Sequence, residues 1–154
     1  MSGLKLRDGM IAEIIVDIFG SMVSLPIETT AWSSDADESP AAGVAAVMNI
    51  SGEAHRFVMV LRTSEALACR IYSSMAGEPP KAWSAEVSDA FGEVANMTAG
   101  NLKLAMCIPG LSLSIPSVIR GSFDWRAPGI NIVHRESFIS GGDRLLISVG
   151  ESTT

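Results

Sequence analysis

The sequence predicts an α+β fold in which long helices cover one face of a mainly antiparallel sheet. Apolar residues recur at helical spacing near the N-terminus and again between residues 84 and 106. Between and after these stretches, short apolar runs separated by glycine, proline and polar turns indicate strands. The predicted order is helix, three strands, two helices, then three or four strands. Two similar halves are therefore expected, each a helix followed by strands.

Composition narrows the class of protein. A length of 154 residues suits one domain, residues 1–154, and 47% hydrophobic residues allow a real core. The formal net charge of -6 argues against a nucleic-acid partner and against an anionic membrane surface. Charged residues near the N-terminus break any apolar segment that could serve as a signal peptide or span. We therefore expect a cytoplasmic protein that does not bind membranes.

The first half of the chain yields one helix and three strands. Helical spacing predicts a helix from about residue 6 to residue 23, and a strand follows at residues 25–32. A polar acidic loop comes next. Two apolar runs, residues 43–50 and 55–62, are joined by a Ser-Gly-Glu turn and predict a hairpin.

The second half begins with two helices that carry clear start and stop signals. Thr63 or Ser64 can cap a helix that runs to about Met75, and Ser84 can cap a longer helix that runs to about Met106. A Pro-Gly pair ends the longer helix. Strands are then predicted at residues 111–115, 117–125, 130–138 and 144–149, and the proline at position 116 should end or kink the first of them.

The longer helix has two distinct faces. An apolar stripe should face the core, and it consists of Val87, Phe91, Val94, Thr98, Leu102 and Ala105. The nearly opposite stripe should be exposed, and it consists of Glu86, Asp89, Glu93, Asn96, Gly100 and Lys103. Glu93 and Asn96 are three residues apart, so their Cβ atoms should lie about 5–6 Å apart. Gly92 and Gly100 weaken the helix beside this pair, which suggests close approach of another surface.

A carboxylate and an amide held side by side suit one kind of chemistry. The amide is both donor and acceptor and does not titrate, so it can orient a water molecule. The carboxylate can pair with a lysine of a partner. This suits hydrolysis in which the reactive group and its metal lie on the partner, because phosphoryl transfer depends mostly on positioning. The alternative is an ordinary solvated face, on which Asp89 and Lys103 are simply exposed charges.

Other candidates point to structure. His55 and His134 lie far apart in predicted strands, without a nucleophile-like motif, and are assigned structural or surface roles. Cys69 and Cys107 are expected to be buried free thiols. Gly141-Gly142-Asp143 is a turn, since no Lys-Ser/Thr and helix follow it. No cofactor site or metal site is predicted in this chain.

Residues 93–101, Glu-Val-Ala-Asn-Met-Thr-Ala-Gly-Asn, resemble the signature of the CheC/CheX/FliY chemotaxis phosphatases, and CheX most closely. Flanking segments agree, because residues 64–78 resemble the helix before the signature and residues 116–121 resemble the strand after it. The resemblance covers most of the chain from about Gly43 to Val149.

This resemblance implies a function and a site. The substrate would be a phosphorylated CheY-like receiver domain, with Asn96 orienting water and Glu93 pairing with the receiver's lysine. The Mg²⁺ would belong to the receiver, and the chain would be a homodimer. CheC-type proteins carry a second Glu-x-x-Asn on the first helix, but here Glu13 is followed three residues later by Val16. The alternative is a non-catalytic module that binds a receiver or a flagellar switch component.

Overall fold

The computed structural model describes residues 6–32, 43–121 and 129–152 of the chain. In these residues, helices pack on an antiparallel sheet of seven strands. The helices are α1 (Met10–Ile18), which continues as a π-helical turn (Phe19–Val23), α2 (Glu65–Ala76) and α3 (Ala85–Met106). The strands are β1 (Glu28–Thr30), β2 (Gly43–Ser51), β3 (Arg56–Ser64), β4 (Ser112–Leu113), β5 (Ser117–Gly121), β6 (Ile130–Ser140) and β7 (Asp143–Ser152).

The strand order is β1-β6-β7-β3-β2-β4, and β5 also pairs with β2. Every pair is antiparallel, so the predicted fold class is confirmed. β2 and β3 form the predicted hairpin, in which Gly43 pairs with Ser64 and Ser51 pairs with Arg56. β7 then pairs along the other side of β3, which brings the C-terminal strands into the middle of the sheet.

The outer edge of β2 pairs with two short strands that are separated by a β-bulge. Leu113 of β4 pairs with Ile50, and Ser117 of β5 pairs with Val47. Two residues of β2 therefore face three residues, 114–116, on the neighbouring segment. The last of these is a proline, which has no N–H for the ladder. The prediction that it interrupts the strand is confirmed.

The core lies between the helices and alternate residues of the central strands. The predicted apolar stripe of α3 is buried except at Ala105, which is only half-buried. From the sheet, Met48 of β2 and Met59 and Leu61 of β3 are fully buried in the same cluster. Because one stripe of α3 is held in this core, its opposite stripe faces outward. That stripe is exposed from Glu86 to Asn96 and half-buried at Gly100 and Lys103.

Both predicted helix caps are present. The Ser64 Oγ accepts a hydrogen bond from the backbone N–H of Leu67 at 3.1 Å, which caps α2. The Ser84 Oγ faces the N–H of Val87 at 3.4 Å at the start of α3. α3 ends at Cys107, which adopts a left-handed conformation with φ of 54°. The position of α3, and hence of its exposed stripe, is thus set by local sequence signals.

Several predicted bounds were wrong. α1 begins at Met10, four residues later than predicted, because Gly9 precedes it with a left-handed φ of 83°. The strand expected at residues 25–32 spans only Glu28–Thr30, and that at residues 111–115 spans only Ser112–Leu113. Of the strand predicted at residues 117–125, the part to Gly121 is present, and residues 122–125 lie outside the described residues.

The expectation that both cysteines are buried was also wrong. Cys107 is exposed and Cys69 is half-buried, and both thiols are free. Cys107 caps the C-terminal end of α3 in a left-handed conformation, which places its side chain off the buried stripe of the helix. Within the described residues, no helix has both the length and the apolar character needed to cross a membrane.

Candidate active site on the third helix

Glu93 and Asn96 lie together on the exposed stripe of α3, as the helical spacing predicted. Both side chains are exposed, and both line one groove of about 530 Å³. The helix forms one wall of this groove with Ser88, Asp89, Gly92, Glu93 and Asn96. The opposite wall comes from the β-bulge and its flanks: Leu113, Ser114, Ile115, Pro116 and Val118.

The two walls come close together at Gly92. A Cβ atom at this position would lie 3.5 Å from the Pro116 Cγ and 3.5 Å from the Val118 Cγ2, so the bulge rests directly on the helix. The surface that approaches Gly92 is therefore the β-bulge of the same chain, and an added Cβ atom would be in ordinary van der Waals contact with it. Gly100 differs, because a Cβ atom there would meet no atom of the described residues within 4 Å. Among the described residues, nothing fills the space for a methyl group beside Gly100, one turn beyond Asn96.

The bulge wall is held in place by the backbone of β2. The N–H of Ser114 donates to the carbonyl oxygen of Asn49 at 2.9 Å. In return, the N–H of Asn49 donates to the Ser114 Oγ at 2.9 Å. Sequence reasoning missed this wall, since register between distant strands is not visible in a sequence. The one local signal was Pro116 inside an otherwise strand-like run.

The groove presents unpaired functional groups. Among the residues that the structure describes, no side chain forms a hydrogen bond or ion pair with Glu93 or Asn96. Asp89 adds a second carboxylate to the same wall, so the helix side of the groove is acidic. An amide and a carboxylate that no described residue engages can hold a water molecule and a cationic group of a partner.

A polar network fixes the N-terminal end of α3. The Tyr72 hydroxyl of α2 is within hydrogen-bonding distance of the carboxylates of Glu78 and Glu86. Lys81 pairs with Glu86 at 2.7 Å and lies over the Tyr72 ring. The hydrogen bond to Glu78, with burial and the bond to Glu86, raises the pKa of Tyr72 to about 12. Glu86 lies on the predicted exposed stripe, but its contacts are structural.

The first helix does not reproduce the pair. Glu13 is bound in an ion pair with Arg7 at 2.6 Å, and the hydrogen bond from Arg7 lowers the pKa of Glu13. Val16, three residues on, is exposed and cannot orient water. Asn101, which follows Gly100 on α3, donates through Nδ2 to the backbone carbonyl of Met97 at 2.9 Å. Neither Glu13 nor Asn101 lines the groove of the pair.

The remaining candidates have structural surroundings. His55 stacks on Phe57 with ring centroids 5.8 Å apart, and His134 lies in β6 opposite Val149. In residues 6–32, 43–121 and 129–152, no three His, Cys, Asp or Glu side chains are grouped so that they could hold a metal ion.

Comparison with known proteins places this chain in a family. The sequence profile described as "Chemotaxis phosphatase CheX" matches residues 44–123, slightly more than half of the chain. This range contains α2, α3 and the bulge, and therefore both walls of the groove. The chain belongs to the CheX family. No curated protein sequence matches it significantly.

Solved structures agree with this fold. The chemotaxis protein CheX from Vibrio vulnificus superposes with a TM-score of 0.80 at 20% identity, covering 99% of this chain and 100% of that one. CheX from Borrelia burgdorferi, solved in complex with CheY, BeF3 and Mg²⁺, gives 0.75 at 13% identity over 97% and 99%. FliY from Thermotoga maritima gives 0.67 at 14% identity over 91% and 84%. The three share the α+β architecture described above.

Proposed function

We propose that this chain is a phosphatase that hydrolyses the aspartyl phosphate of a CheY-like receiver domain. One observation carries the proposal: Glu93 and Asn96 lie side by side, unpaired by any described residue, in an open groove on a helix that the CheX family profile covers. The groove has a helix on one side and a sheet edge on the other. Such a surface suits a protein substrate, because the substrate protein can insert its own reactive group into the groove.

In the proposed reaction, the Asn96 amide orients a water molecule for in-line attack on the phosphoryl group. The amide accepts from water through its oxygen and donates through its nitrogen, and it needs no change of protonation. Asn96 sits on a helix whose opposite face is anchored in the core, so the backbone that carries the amide is held in place before the substrate binds. Pre-positioning of this kind lowers the entropic part of the barrier.

Glu93 is proposed to pair with the receiver's active-site lysine. Its carboxylate lies one helical turn from Asn96, so docking through Glu93 brings Asn96 to the phosphoryl group. The Mg²⁺ that neutralises developing charge is proposed to reside on the receiver, and no cofactor is assigned to this chain. The Borrelia burgdorferi CheX that was crystallised with CheY, BeF3 and Mg²⁺ supports this choice of partner.

The chain is further proposed to act as one CheX-like domain over residues 1–154 and to form a homodimer. The dimer follows from the resemblance to CheX, and an unpaired sheet edge would be a liability in a monomer. Light scattering at working concentration should give the mass of a dimer, and a monomer mass would contradict this part of the proposal. The cytoplasmic location stays a prediction.

The competing function is a non-catalytic module that binds a receiver or a flagellar switch component. The structural similarity to FliY supports this alternative. The two functions share the binding groove and differ only in what happens to the phosphoryl group.

A phosphate-release assay on a panel of phosphorylated receivers with Mg²⁺ tests the proposal. We expect this chain to accelerate release for at least one receiver, in proportion to its concentration. A chain that accelerates release from none of them would not be a phosphatase of this class. Parallel binding measurements with the same receivers would then show whether the chain is a non-catalytic binding module.

A further inference from the structure

The wall of the groove that faces Glu93 and Asn96 carries a solvent-exposed isoleucine. Ile115 is 85% exposed, the largest exposure among the bulky apolar residues that the structure describes. It lies in the β-bulge and lines the same groove as the two polar residues. An isoleucine is normally among the most buried residue types. Its exposure at this point therefore calls for a specific explanation.

The bulge is the reason that Ile115 is exposed. In a regular strand, side chains alternate between the two faces of the sheet. Leu113 and Val118 both pack toward the core, and Pro116 rests on Gly92, so the extra residue of the bulge shifts this alternation at Ile115. The Ile115 side chain therefore does not pack into the core between the helices and the sheet. It lies at the edge of the sheet and faces the groove. Bulges commonly re-aim a side chain in this way beside functional sites.

The backbone around Ile115 is well held. The paired hydrogen bonds between Ser114 and Asn49 fix one side, and the contact of Pro116 with α3 fixes the other. The Ser114 Oγ also contacts the carbonyl oxygen of Ile115 at 3.1 Å. An apolar side chain presented by a fixed backbone loses little freedom when a partner covers it.

We propose that Ile115 is an apolar anchor for the receiver domain. It contributes to the affinity for the receiver, while the residues of α3 act in hydrolysis. This inference rests on the proposed function and extends it to recognition. The groove has an acidic wall with Asp89 and Glu93 and an apolar wall with Ile115. It therefore fits a partner surface that places a cationic group next to an apolar patch. In a receiver, the cation would be the lysine that pairs with Glu93, and the apolar patch would border the phosphorylation pocket.

Ile119 supplies a matched control. It is 45% exposed on β5, four residues further along the same edge. Its neighbour Val118 faces α3, so Ile119 faces the other side of the sheet, and it does not line the groove. An Ile119→Ser variant removes the same apolar group from the same edge without touching the proposed interface.

The test compares Ile115→Ser, Ile115→Val and Ile119→Ser with the wild-type protein. We expect Ile115→Ser to raise KM for the phosphorylated receiver about ten-fold, equivalent to about 1.4 kcal/mol, and to leave kcat unchanged. Its dissociation constant for the beryllofluoride-loaded receiver should rise by the same factor. Ile115→Val should restore most of the affinity, and Ile119→Ser should match wild type. Thermal melts should be unchanged for all three, because the side chains are solvent-exposed.

Equal affinities for Ile115→Ser and wild type would overturn the anchor, as would an equal loss for Ile119→Ser. A change in the oligomeric state of Ile115→Ser without a change in receiver affinity would assign the residue to self-association and also overturn it. The outcome is separable from the proposed function. If the wild type binds the receiver but does not hydrolyse it, the dissociation constants alone decide on the anchor. If the wild type binds no receiver, both ideas fail together.

Discussion

Replacing Asn96 by alanine should remove most of the phosphatase activity and leave the protein folded. The amide is proposed to act on the attacking water, so its loss should lower kcat while KM stays nearly the same. Removal of one hydrogen-bonding group that acts in a transition state typically costs about 10²–10³-fold in kcat. We expect a loss in this range, measured by steady-state phosphate release with a phosphorylated receiver and Mg²⁺.

The structure sets the expected effect on stability. Asn96 is exposed on α3 and forms no hydrogen bond with a described residue, so its removal leaves no described buried group unpaired. Alanine is also the better helix former, by up to about 0.7 kcal/mol. The free energy of unfolding, measured with urea, should therefore stay the same or rise slightly. A large loss of stability would mean that the side chain has a structural role that the groove does not suggest.

Asn101→Ala is the matched control for Asn96→Ala. Asn101 is an exposed asparagine on the same helix, but its amide donates to the backbone of Met97 and lies outside the groove. We expect near wild-type kcat for this variant. If Asn96→Ala kept wild-type turnover, or if both variants lost activity equally, water positioning by Asn96 would be refuted.

Three further predictions follow from individual contacts. Glu93→Ala should lower kcat and raise KM in the same release assay, because docking and orientation are both lost, whereas Glu13→Ala should have little effect. Gly100→Ala should raise the free energy of unfolding by about 0.5–1 kcal/mol, since the added Cβ meets no atom of the described residues within 4 Å. Weaker receiver binding by this variant would show that the partner approaches the helix here, and unchanged binding would exclude it. Absorbance titration of the chain's single tyrosine should give a midpoint near pH 12 for Tyr72. The stability that depends on its neutral hydroxyl should be present below pH 10 and lost toward pH 12. A titration midpoint near pH 10 would mean that the two carboxylate contacts of Tyr72 are absent in solution.

The helical half of the site could be predicted because its signals are local. Ser84 begins α3, and the apolar stripe repeats every three to four residues until the Pro-Gly pair after Cys107. Once the buried stripe is known, the exposure of Glu93 and Asn96 follows from 3.6 residues per turn. The fold class was predicted for the same reason, since the order of helices and strands is itself a local property.

The sheet half of the site could not be predicted because it depends on pairing between distant segments. The bulge exists only because Leu113 pairs with Ile50 while Ser117 pairs with Val47, and these partners are more than sixty residues apart. The sequence indicated that the strand is interrupted at Pro116. It did not indicate that this interruption forms the wall of the groove opposite α3. The exposure of Cys107 was missed for a related reason, because an apolar neighbourhood in sequence does not reveal where a helix leaves the core.

The lifetime of the phosphoryl group on a labelled receiver, measured with this chain at saturating concentration, tests the central claim most directly. It separates hydrolysis from binding, because at saturation every receiver is occupied and only chemistry can change the decay rate. A phosphatase should shorten the lifetime with the wild-type protein and leave it close to that of the free receiver with Asn96→Ala. An unchanged lifetime with the wild-type protein, for receivers that it demonstrably binds, would contradict the phosphatase assignment and identify a binding module.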